Sequence, residues 1–554
     1  MISGQNRFHF SAMKILSAEQ IRMADRHTIE HEPVASIDLM ERATAACTKW
    51  ILNSGSIPHS KKNSFRFPSP SGEGVPLFAG RMRLRGVQSE AKTKVKIFCG
   101  TGSNGGDGLA IARMLLKKNI AAAAFIVPLG NLPSKDFLKN KIRLKKIAPK
   151  AVQEISSAEE LPSINKNDLV IDALFGTGIS RKPEGLAAKT IAHINKSGAN
   201  VIAVDMPSGL FADEHTPHKA VVHAWHTLSF QVPKLAFLFS ENEKYTGSWH
   251  VLDIGLDEKF IDSLPSKFFF VEEKYAASFF PERKKFSHKG TYGHTLIAAG
   301  SYGMMGAAVL CTRAALHSGA GLVTAFIPRC GYSIMQRTAP EALAAVSKTE
   351  KHLSGPLPEK DFSSVVIGPG IGKNPAAARW LKNILLKIKI PLLLDADALN
   401  IISENKSLLK KIPAGTILTP HPGEFKRLAG AAKNDFQKFE MLKSFAKKYN
   451  VTVVLKGANT CIAAPGGETY FNSTGNPGMA KGGSGDVLSG IIGALLARGI
   501  SPLNACIGGV YLHGLAGDIA AEKFSMESMT ASDIISSIGA AFKKIKKPQP
   551  IHAD

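Results

Sequence analysis

A glycine-rich stretch near the end of the chain, Gly475 to Gly490, combines a possible phosphate site with a possible proton acceptor. Six of its sixteen residues are glycine, which weakens a helix or strand but lets the backbone approach a ligand closely. Apolar residues at helical spacing follow from Val487, so the pattern predicts a glycine loop that leads into a helix N-terminus. Such a terminus presents unpaired N–H groups and a partial positive charge, which favour phosphate.

Asp486 lies at the mouth of this predicted anion site. Because a carboxylate beside phosphate is repelled, its position needs a reason. It could be a base that removes a proton from a hydroxyl before phosphoryl transfer, or it could cap the helix. The three glycines directly before it, Gly482, Gly483 and Gly485, lead us to favour the base.

A second glycine motif follows a short apolar segment in the first half of the chain. Val95–Cys99 is predicted to be a buried strand, Gly100–Gly108 a loop, and Leu109–Lys117 a helix. This order suits a pyrophosphate at a helix N-terminus, although the motif is neither the dinucleotide fingerprint nor a Walker loop. A plain glycine turn is the alternative, but Asn104 and Asp107 favour a ligand role.

Two further predicted strands, Leu169–Phe175 and Val201–Asp205, carry aspartates near their carboxyl ends. Open α/β sheets bind ligands at that edge. Asp172, Ser208 and Asn104 offer hard oxygen ligands, which suit a cation rather than a soft metal. Capping of turns by the same side chains is the alternative.

Strands and helices alternate again after Asp262–Lys285, where we place the domain boundary. The alternation predicts a second, largely parallel sheet that is covered on both faces. Its strands are predicted at Thr295–Ala299, Leu322–Ile327, Val365–Gly368, Leu392–Asp395, Thr416–Leu418 and Val451–Leu455. His421 lies at one strand end, where it either caps a turn or, as we favour, contacts a ligand.

The composition is typical of a globular protein with more than one domain. The chain has 554 residues, 44% of them hydrophobic and 21% charged, and a formal net charge of +24. The lysines are dispersed over polar helix faces, so we expect an anionic small substrate and no nucleic acid. The sequence has no apolar run of about twenty residues, and we expect no membrane association.

The six cysteines are far apart, without a C-x-x-C pair, so reduced thiols and a cytoplasmic location are expected. Residues 1–12 have no apolar signal core, and an alternative start at Met13 stays open. Residues 53–94 are rich in Ser, Pro, Gly and basic residues, and we interpret them as a disordered insertion. A basic nucleic-acid arm is the alternative that we do not favour.

Taken together, these motifs resemble the bifunctional NAD(P)H-hydrate repair enzymes over nearly the whole chain. The motifs that carry the resemblance are SNGGDG (103–108), VIDALFGTG (170–178), VDMPSG (204–209), GPGIG (368–372), TPHPGEFKRL (419–428) and the stretch from Gly475. The family usually has asparagine where Ser103 stands, and it reaches the first strand through a short loop rather than through an insertion.

The resemblance implies two three-layer α/β/α domains. A Rossmann-like epimerase domain is expected at 13–265, with the insertion at 53–94, and a ribokinase-like, ADP-dependent dehydratase domain at 275–550. The substrates implied are hydrated NADH and NADPH (NADHX and NADPHX), interconverted between R and S forms and then dehydrated as ADP is cleaved to AMP and phosphate. Potassium is implied for the first domain and magnesium for the second, and we expect a homo-oligomer.

The resemblance also implies site residues. The hydrate in the first domain would contact Ser103, Asn104, Gly105, Gly106, Asp107, Gly176, Thr177, Gly178, Ile179, Ser180, Arg181, Lys182 and Asp205. Potassium would bind Asn104, Asp172 and Ser208, and Asp205 would be the catalytic acid or base, with Lys182 a weaker candidate.

In the second domain Asp486 would be catalytic. The hydrate there would contact Gly370, His421, Pro422, Gly423, Glu424, Phe425, Lys426, Arg427 and Asp486. ADP would contact Lys456, Gly457, Ala458, Asn459, Thr460, Asn476, Pro477, Gly478, Met479, Ala480, Lys481, Gly482, Gly483, Ser484 and Gly485.

Two other functions fit parts of the sequence. Ribokinase-like kinases of vitamins or sugars share the Gly-x-Gly-Asp pattern, but His421–Glu424 reads HPGE where such kinases often carry Asn-x-x-Glu. A nucleotide-binding scaffold with a basic RNA-binding surface is the second alternative, and it would show strongly salt-dependent binding through 53–94.

Overall fold

The computed structural model describes residues 12–32, 34–57, 94–130 and 132–546. Contacts within it divide the chain into an N-terminal unit, Lys14–Ser266, and a C-terminal unit, which consists of the residues from Lys267 together with Ala12 and Met13 of the described chain. Most of the predicted insertion, residues 58–93, lies outside the described residues. A two-residue strand, β1 (Met13–Lys14), comes first in the described chain.

Parallel strands and helices alternate in the N-terminal unit. Its strands are β2 (Val95–Cys99), β3 (Ala122–Ile126), β4 (Val152–Glu154), β5 (Leu169–Ala173), β6 (Asn200–Val204), β7 (His226–Phe230) and β8 (Ser248–Leu252). Its helices are α1 (Ala18–His31), α2 (Ser36–Asn53), α3 (Ser103–Lys117), α4 (Lys135–Ile147), α5 (Gly185–Lys196), α6 (Glu243–Thr246) and α7 (Glu258–Ser263). The described strands lie in the order β4-β3-β2-β5-β6-β7-β8, and each neighbouring pair is parallel.

Both faces of this sheet are buried. Ile97 of β2 belongs to one apolar cluster together with residues of α2 and α3, whereas Phe98 belongs to a second cluster with Ile191 and Ile194 of α5. Since successive side chains of a strand point to opposite faces, the sheet has helices on both sides. The carboxyl ends of β2, β5 and β6 therefore form one edge of a three-layer unit.

The C-terminal unit repeats the alternation over a larger sheet. Its strands are β9 (Phe268–Val271), β10 (His294–Ala298), β11 (Leu322–Ile327), β12 (Leu343–Val346), β13 (Ser364–Ile367), β14 (Leu392–Leu394), β15 (Ile417–Leu418), β16 (Thr452–Leu455), β17 (Cys461–Ala463) and β18 (Thr469–Asn472). Its helices are α8 (Glu273–Ala277), α9 (Met305–His317), α10 (Tyr332–Thr338), α11 (Pro375–Leu385), α12 (Asp397–Glu404), α13 (Pro422–Ala429), α14 (Asp435–Tyr449), α15 (Ser484–Ala497), α16 (Pro502–Phe524) and α17 (Ala531–Lys546).

The strands of this sheet lie in the order β1-β9-β18-β17-β16-β15-β14-β13-β10-β11-β12. From β9 onward in this order, neighbours are parallel except in the pairs β16–β17 and β17–β18, which are antiparallel. Residues of α9, α15, α16 and α17 share one apolar core with the sheet. On the other face, Trp380 of α11 packs near Phe326 of β11, and Phe439 of α14 packs near Phe471 of β18. The predicted fold class, two α/β layered units with largely parallel sheets, is confirmed.

The stretch Asp262–Lys285 is more regular than its sequence indicates. We found no period there, yet it contains β9 and α8. Three of the four residues of β9 are half-buried, so the strand lacks the alternation of buried and exposed residues that reveals a strand from sequence. The division between the units falls immediately before this strand, after Ser266.

The six cysteines are all unpaired. Cys330 is half-buried, and the other five are buried: Cys47, Cys99, Cys311, Cys461 and Cys506. Among the helices that the structure describes, none has both the length and the apolar character of a membrane span.

Candidate active sites

The glycine motif after β2 is the start of a helix. The sequence predicted a loop up to Gly108 and a helix from Leu109, but this was wrong, since α3 begins at Ser103. A Cβ atom on Gly105 would lie 1.7 Å from the carbonyl oxygen of Gly100. The glycine therefore lets the first turn of α3 pack directly against the end of β2, and its low helix propensity hides the helix in the sequence.

Three strand ends of the N-terminal unit converge on Asp205. Its backbone has a φ of 63°, a left-handed conformation that is uncommon for a residue other than glycine. The backbone N–H of Thr177 donates to Asp205 Oδ2 at 2.9 Å, and Asn104 Nδ2 donates to the carbonyl oxygen of Val204 at 3.2 Å. A Cβ atom on Gly176 would lie 2.8 Å from Asp205 Oδ2. The structure therefore brings these predicted site residues together.

Two more acidic residues share this neighbourhood. Burial, followed by the charges of Asp205 and Asp25, raises the pKa of Asp107 well above its usual value. Burial, followed by the charge of Asp205, raises the pKa of Asp25 on α1 to about 6. Shifts of this kind are frequent in active sites because clustered carboxylates resist ionisation together. The sequence pointed to Asp107 but not to Asp25, which lies in an ordinary helical pattern.

A buried lysine that the sequence did not point to also belongs to this cluster. Lys234 is fully buried, and its Nζ lies 3.5 Å from Asp205 Oδ1. Nζ also donates to the carbonyl oxygens of Phe230 at 2.9 Å and Val232 at 3.2 Å. The one signal for it in the sequence is its place just after β7, and a single lysine there does not stand out.

The three candidate cation ligands lie at this same sheet edge. Asp172 is fully buried, and it accepts hydrogen bonds from the backbone N–H of Ser208 at 2.8 Å and from Ser208 Oγ at 2.6 Å. Burial raises the pKa of Asp172 to about 6, although these bonds act in the opposite direction. Asn104 Oδ1 is buried and has no hydrogen-bond partner among the described residues. A buried oxygen without a partner fits a hard cation.

The remaining predicted residues of this site lie in the loop that follows Gly176. Arg181 and Lys182 are exposed there. Burial and then the charge of Lys182 lower the pKa of His218, whose two ring nitrogens are buried without a partner among the described residues. Lys182 therefore lies near His218, and no described contact joins it to Asp205.

Asp486 lies in the first turn of α15, at the end of the predicted anion loop. The helix begins at Ser484, its cap residue is Gly483 with a φ of 91°, and no side chain caps it within the described chain. The alternative that Asp486 is the cap is therefore wrong. Burial, followed by the charge of Asp395, raises the pKa of Asp486 to about 7. A carboxyl group with this pKa can accept a proton near neutral pH.

Asp395 and Lys456 form the ion pair that faces Asp486. Lys456 Nζ donates to Asp395 Oδ1 at 3.0 Å and lies 3.9 Å from Glu424 Oε2. Ser489 Oγ donates to Asp395 Oδ2 at 2.7 Å. Burial acts to lower the pKa of Lys456. The charges of Asp395 and then Glu424 outweigh the effect of burial, so the pKa of Lys456 is raised. Lys456 was expected as an ADP contact from the family resemblance, whereas nothing in the sequence indicated a role for Asp395.

The HPGE motif begins α13. His421 is the cap residue of this helix: its Nδ1 accepts from the backbone N–H of Gly423 at 3.1 Å, and Glu424 Oε2 accepts from the backbone N–H of His421 at 2.8 Å. His421 therefore does cap its turn, as the alternative held, and its side chain is still half-exposed beside the Lys456 cluster. Phe425 is buried in the core, and Arg427 donates to Asn400 Oδ1 at 2.7 Å.

The glycine loop before α15 is fixed by polar side chains. Asn476 Oδ1 accepts from the backbone N–H of Gly478 at 3.0 Å, while its Nδ2 donates to Asp518 Oδ1 at 2.9 Å. Lys481 Nζ donates to the carbonyl oxygen of Met529 at 2.9 Å. A Cβ atom on Gly485 would lie 3.3 Å from Lys456 Nζ, so the loop and the ion pair meet there.

These two sites lie at sheet edges of α/β units and carry buried acids with raised pKa values, which is the usual architecture of an enzyme. A family model described as NAD(P)H-hydrate dehydratase matches residues 295–539. A second, described as YjeF-related protein N-terminus, matches residues 36–236.

Two relatives that align with most of this chain have the same name. The chain is 35% identical over 470 residues to the bifunctional NAD(P)H-hydrate repair enzyme Nnr of Moorella thermoacetica, covering 82% of this chain and 89% of that one. It is 32% identical over 551 residues to the enzyme of the same name from Thermofilum pendens, covering 97% of each. The chain belongs to the family of bifunctional NAD(P)H-hydrate repair enzymes, and the predicted resemblance is confirmed.

Half of the chain is also similar to a solved structure. An ADP/ATP-dependent NAD(P)H-hydrate dehydratase of Bacillus subtilis, crystallised with ATP and Mg²⁺, is 32% identical, with 50% of this chain and 98% of that chain covered and a TM-score of 0.44. Family membership rests on the bifunctional relatives, and it favours the repair enzyme over the small-molecule kinase.

Proposed function

We propose that the two units perform successive steps in the repair of hydrated NADH and NADPH. The predicted domain 13–265 interconverts the R and S hydrates, and the predicted domain 275–550 dehydrates the S hydrate while it converts ADP to AMP and phosphate. The observation that carries the second step is Asp486, a carboxyl group of raised pKa at the N-terminus of α15, beside Lys456 and Asp395.

The chemistry follows from the poor leaving ability of hydroxide. Asp486 takes the proton of the C6 hydroxyl, the oxygen attacks the β-phosphoryl group of ADP, and AMP leaves. Phosphate then departs from C6 while the ring loses a proton, so the ring double bond re-forms. The N-terminus of α15 and Lys456 offer positive charge that stabilises the phosphoryl group during its transfer. In phosphoryl transfer, positioning and electrostatic stabilisation supply most of the catalysis.

We assign the predicted contacts of this site as follows. Gly370 and the residues 421–427 other than Phe425 hold the hydrate, whereas 456–460 and 476–485 hold the nucleotide. Phe425 is left out because its side chain is buried in the core. Magnesium, when bound, offsets phosphate charge.

The N-terminal unit supplies a different proton acceptor. We assign Asp205 as the acid and base of epimerisation because Thr177, Gly176 and Asn104 surround it at the sheet edge. Asn104, Asp172 and Ser208 would hold potassium, for which the unpartnered Oδ1 of Asn104 is the supporting observation. A bound potassium ion would supply a fixed positive charge for the hydrate's pyrophosphate or ribose oxygens.

Mixed hydrates test both steps in one experiment. The protein is incubated with roughly equal R and S hydrates of NADH, ADP, magnesium and potassium, and recovery of reduced nicotinamide absorbance is followed. Full recovery requires both units to be active, whereas recovery of about half shows that only the C-terminal unit works, in line with the assumed starting ratio. A stable phosphorylated product would instead favour the kinase.

The variant Asp486→Asn tests the assigned base. Dehydration is expected to fall by about 10³-fold or more, because the carboxylate that accepts the proton is gone. ADP binding, measured by calorimetry, is expected to stay nearly unchanged. Loss of ADP binding, with dehydration falling only in step, would contradict the assignment.

Three further expectations concern the whole protein. We propose a homo-oligomer, to be checked by light scattering, and a cytoplasmic location. We expect no nucleic-acid partner, and salt-dependent RNA binding by the purified protein would contradict this.

A further inference from the structure

Lys234 is a fully buried basic side chain of the N-terminal site. It follows the end of β7, and its exposed fraction is 0%. Burial opposes its charge and lowers its pKa, although nearby carboxylates, Asp205 first, act in the opposite direction. Burying an ammonium group is costly unless it is paired and hydrogen-bonded, so a lysine here needs a reason.

Part of the reason is local. Nζ donates to the carbonyl oxygens of Phe230 and Val232, where the chain turns through Gln231 with a φ of 62°. These two bonds stabilise the turn, but two neutral donors of an amide would satisfy the same carbonyls. The turn alone therefore does not explain why this group carries a charge.

The charges that face Lys234 explain the rest. Its Nζ lies 3.5 Å from Asp205 Oδ1, and Asp25 and Asp213 also act on it electrostatically. Asp107 lies within reach of Asp205 and Asp25. These acids come from separate elements: Asp25 from α1, Asp107 from α3, and Asp205 and Asp213 from the segment after β6. The ammonium thus lies among the carboxyl groups of Asp205, Asp25 and Asp213, which would otherwise repel one another.

The contact with Asp205 is also directional. Asp205 Oδ2 is held by the N–H of Thr177, and Lys234 lies at the other oxygen, Oδ1. Two donors from different strand ends thus fix the plane of a carboxylate whose backbone is already constrained by a left-handed φ. A carboxylate that takes a proton from one atom of a bound ligand and returns it must hold a fixed orientation toward that atom.

We propose that Lys234 is the positioning residue of the epimerase site: its buried ammonium group orients the Asp205 carboxylate and balances the surrounding acids. This inference rests on the proposed role of Asp205 as acid and base. During epimerisation Asp205 gains a proton from the hydrate and gives one back, so its charge changes and is restored. Lys234 transfers no proton and keeps its charge throughout.

The test compares two buried lysines of the same unit. Lys234→Gln keeps a donor for the carbonyls of the turn but removes the charge beside Asp205. Lys96→Gln is the matched control, since Lys96 is 8% exposed, pairs with Asp168 at 2.9 Å and lies near the opposite end of β2 from the site. Epimerisation is followed from pure R hydrate, which yields reduced nicotinamide only after conversion to S, and dehydration of pure S hydrate is the internal control.

For Lys234→Gln we expect kcat of epimerisation to fall about 100-fold or more, the loss expected for a misplaced catalytic group. KM for the hydrate should stay within about threefold, because the lysine does not touch the substrate. Lys96→Gln should epimerise at the rate of the original protein, and both variants should dehydrate S hydrate normally. Lys234→Arg, which restores the charge, should recover at least about a tenth of the original kcat.

Three results would overturn the inference. One is a folded Lys234→Gln variant that epimerises within about fivefold of the original rate. Another is an equal loss in the Lys96→Gln variant, which would show a stability effect. If Lys234→Gln does not fold, the test uses Lys234→Arg instead. A folded Lys234→Arg variant that epimerises as slowly as Asp205→Asn would overturn the inference. Normal epimerisation by Asp205→Asn would instead refute the proposed function itself.

Discussion

The carboxyl group of Asp486 lies where a negative charge costs the folded protein stability. Burial and the neighbouring charge of Asp395 raise its pKa from 3.8 to about 7, although Lys456 acts in the opposite direction. The replacement Asp486→Asn keeps the shape of the side chain and removes the charge. We therefore expect this variant to lose dehydration and yet unfold at a higher temperature.

The magnitude follows from the pKa difference between the folded and unfolded chain. A shift of about 3 units corresponds to about 4 kcal/mol at a pH above both values. Because the raised pKa favours the protonated folded form, the ionised group destabilises the fold fully above about pH 7. The penalty declines as the pH falls toward 3.8 and is absent below it. Since a buried amide also loses hydration, we expect a net gain of about 2–4 kcal/mol.

Thermal unfolding at two pH values measures this effect. At pH 8 the melting temperature of the C-terminal transition of Asp486→Asn should rise by about 4–16 °C, given a gain of about 2–4 kcal/mol and about 2–4 °C per kcal/mol for a unit of this size. At pH 4 the difference should nearly disappear. Asp361→Asn is the control, because Asp361 is exposed in the same unit and its replacement should change neither transition.

The refuting result is equally specific. If Asp486→Asn leaves the C-terminal transition unchanged or lowers it at pH 8, the carboxylate is not held in a desolvated place beside Asp395. In that case the carboxyl group of Asp486 would also lack the raised pKa that suits a base near neutral pH. A gain that is the same at pH 8 and pH 4 would also contradict an electrostatic origin.

Three other predictions use the same sites. First, kcat of dehydration should fall about tenfold for each pH unit below about 7, because Asp486 must be ionised to act, and a flat profile down to pH 5 would contradict this. Second, Gly105→Ala should lower the melting temperature and abolish epimerisation, since its Cβ would meet the Gly100 carbonyl at 1.7 Å, whereas Gly102→Ala, with nothing within 4 Å, should be tolerated. Third, Asp172→Asn should raise the potassium concentration for half-maximal epimerisation about tenfold or more, measured by potassium titration.

Buried strands were the part of the fold that the sequence predicts best. Val95–Cys99 and Leu322–Ile327 are strands over the predicted residues, because short, mostly apolar segments that end at a glycine or a proline are typical of buried strands. Ala122–Ile126 was missed, since alanine-rich segments suit a helix as well as a strand. The start of α3 was missed because its glycines have a low helix propensity. They stand there because the first turn of α3 packs closely against the end of β2.

The candidate sites divide in a similar way. Asp205 and Asp486 were predicted because each follows a motif with several glycines or a strand end. Lys234 and Asp395 could not be predicted in the roles the structure gives them, since their meaning depends on contacts with residues far along the chain, 29 positions for Lys234 and Asp205 and 61 for Asp395 and Lys456. Tertiary pairing of this kind leaves no local pattern.

The burial of the cysteines has a consequence for handling this protein. Burial raises the pKa of Cys47, Cys99, Cys311, Cys461 and Cys506, so these thiols stay protonated and out of reach of oxidants. Cys330 alone among the six is partly accessible in the folded chain. Five of the six thiols of this enzyme are therefore protected from reaction in the folded chain. A thiol-reactive dye added to the native protein should attach at Cys330 alone.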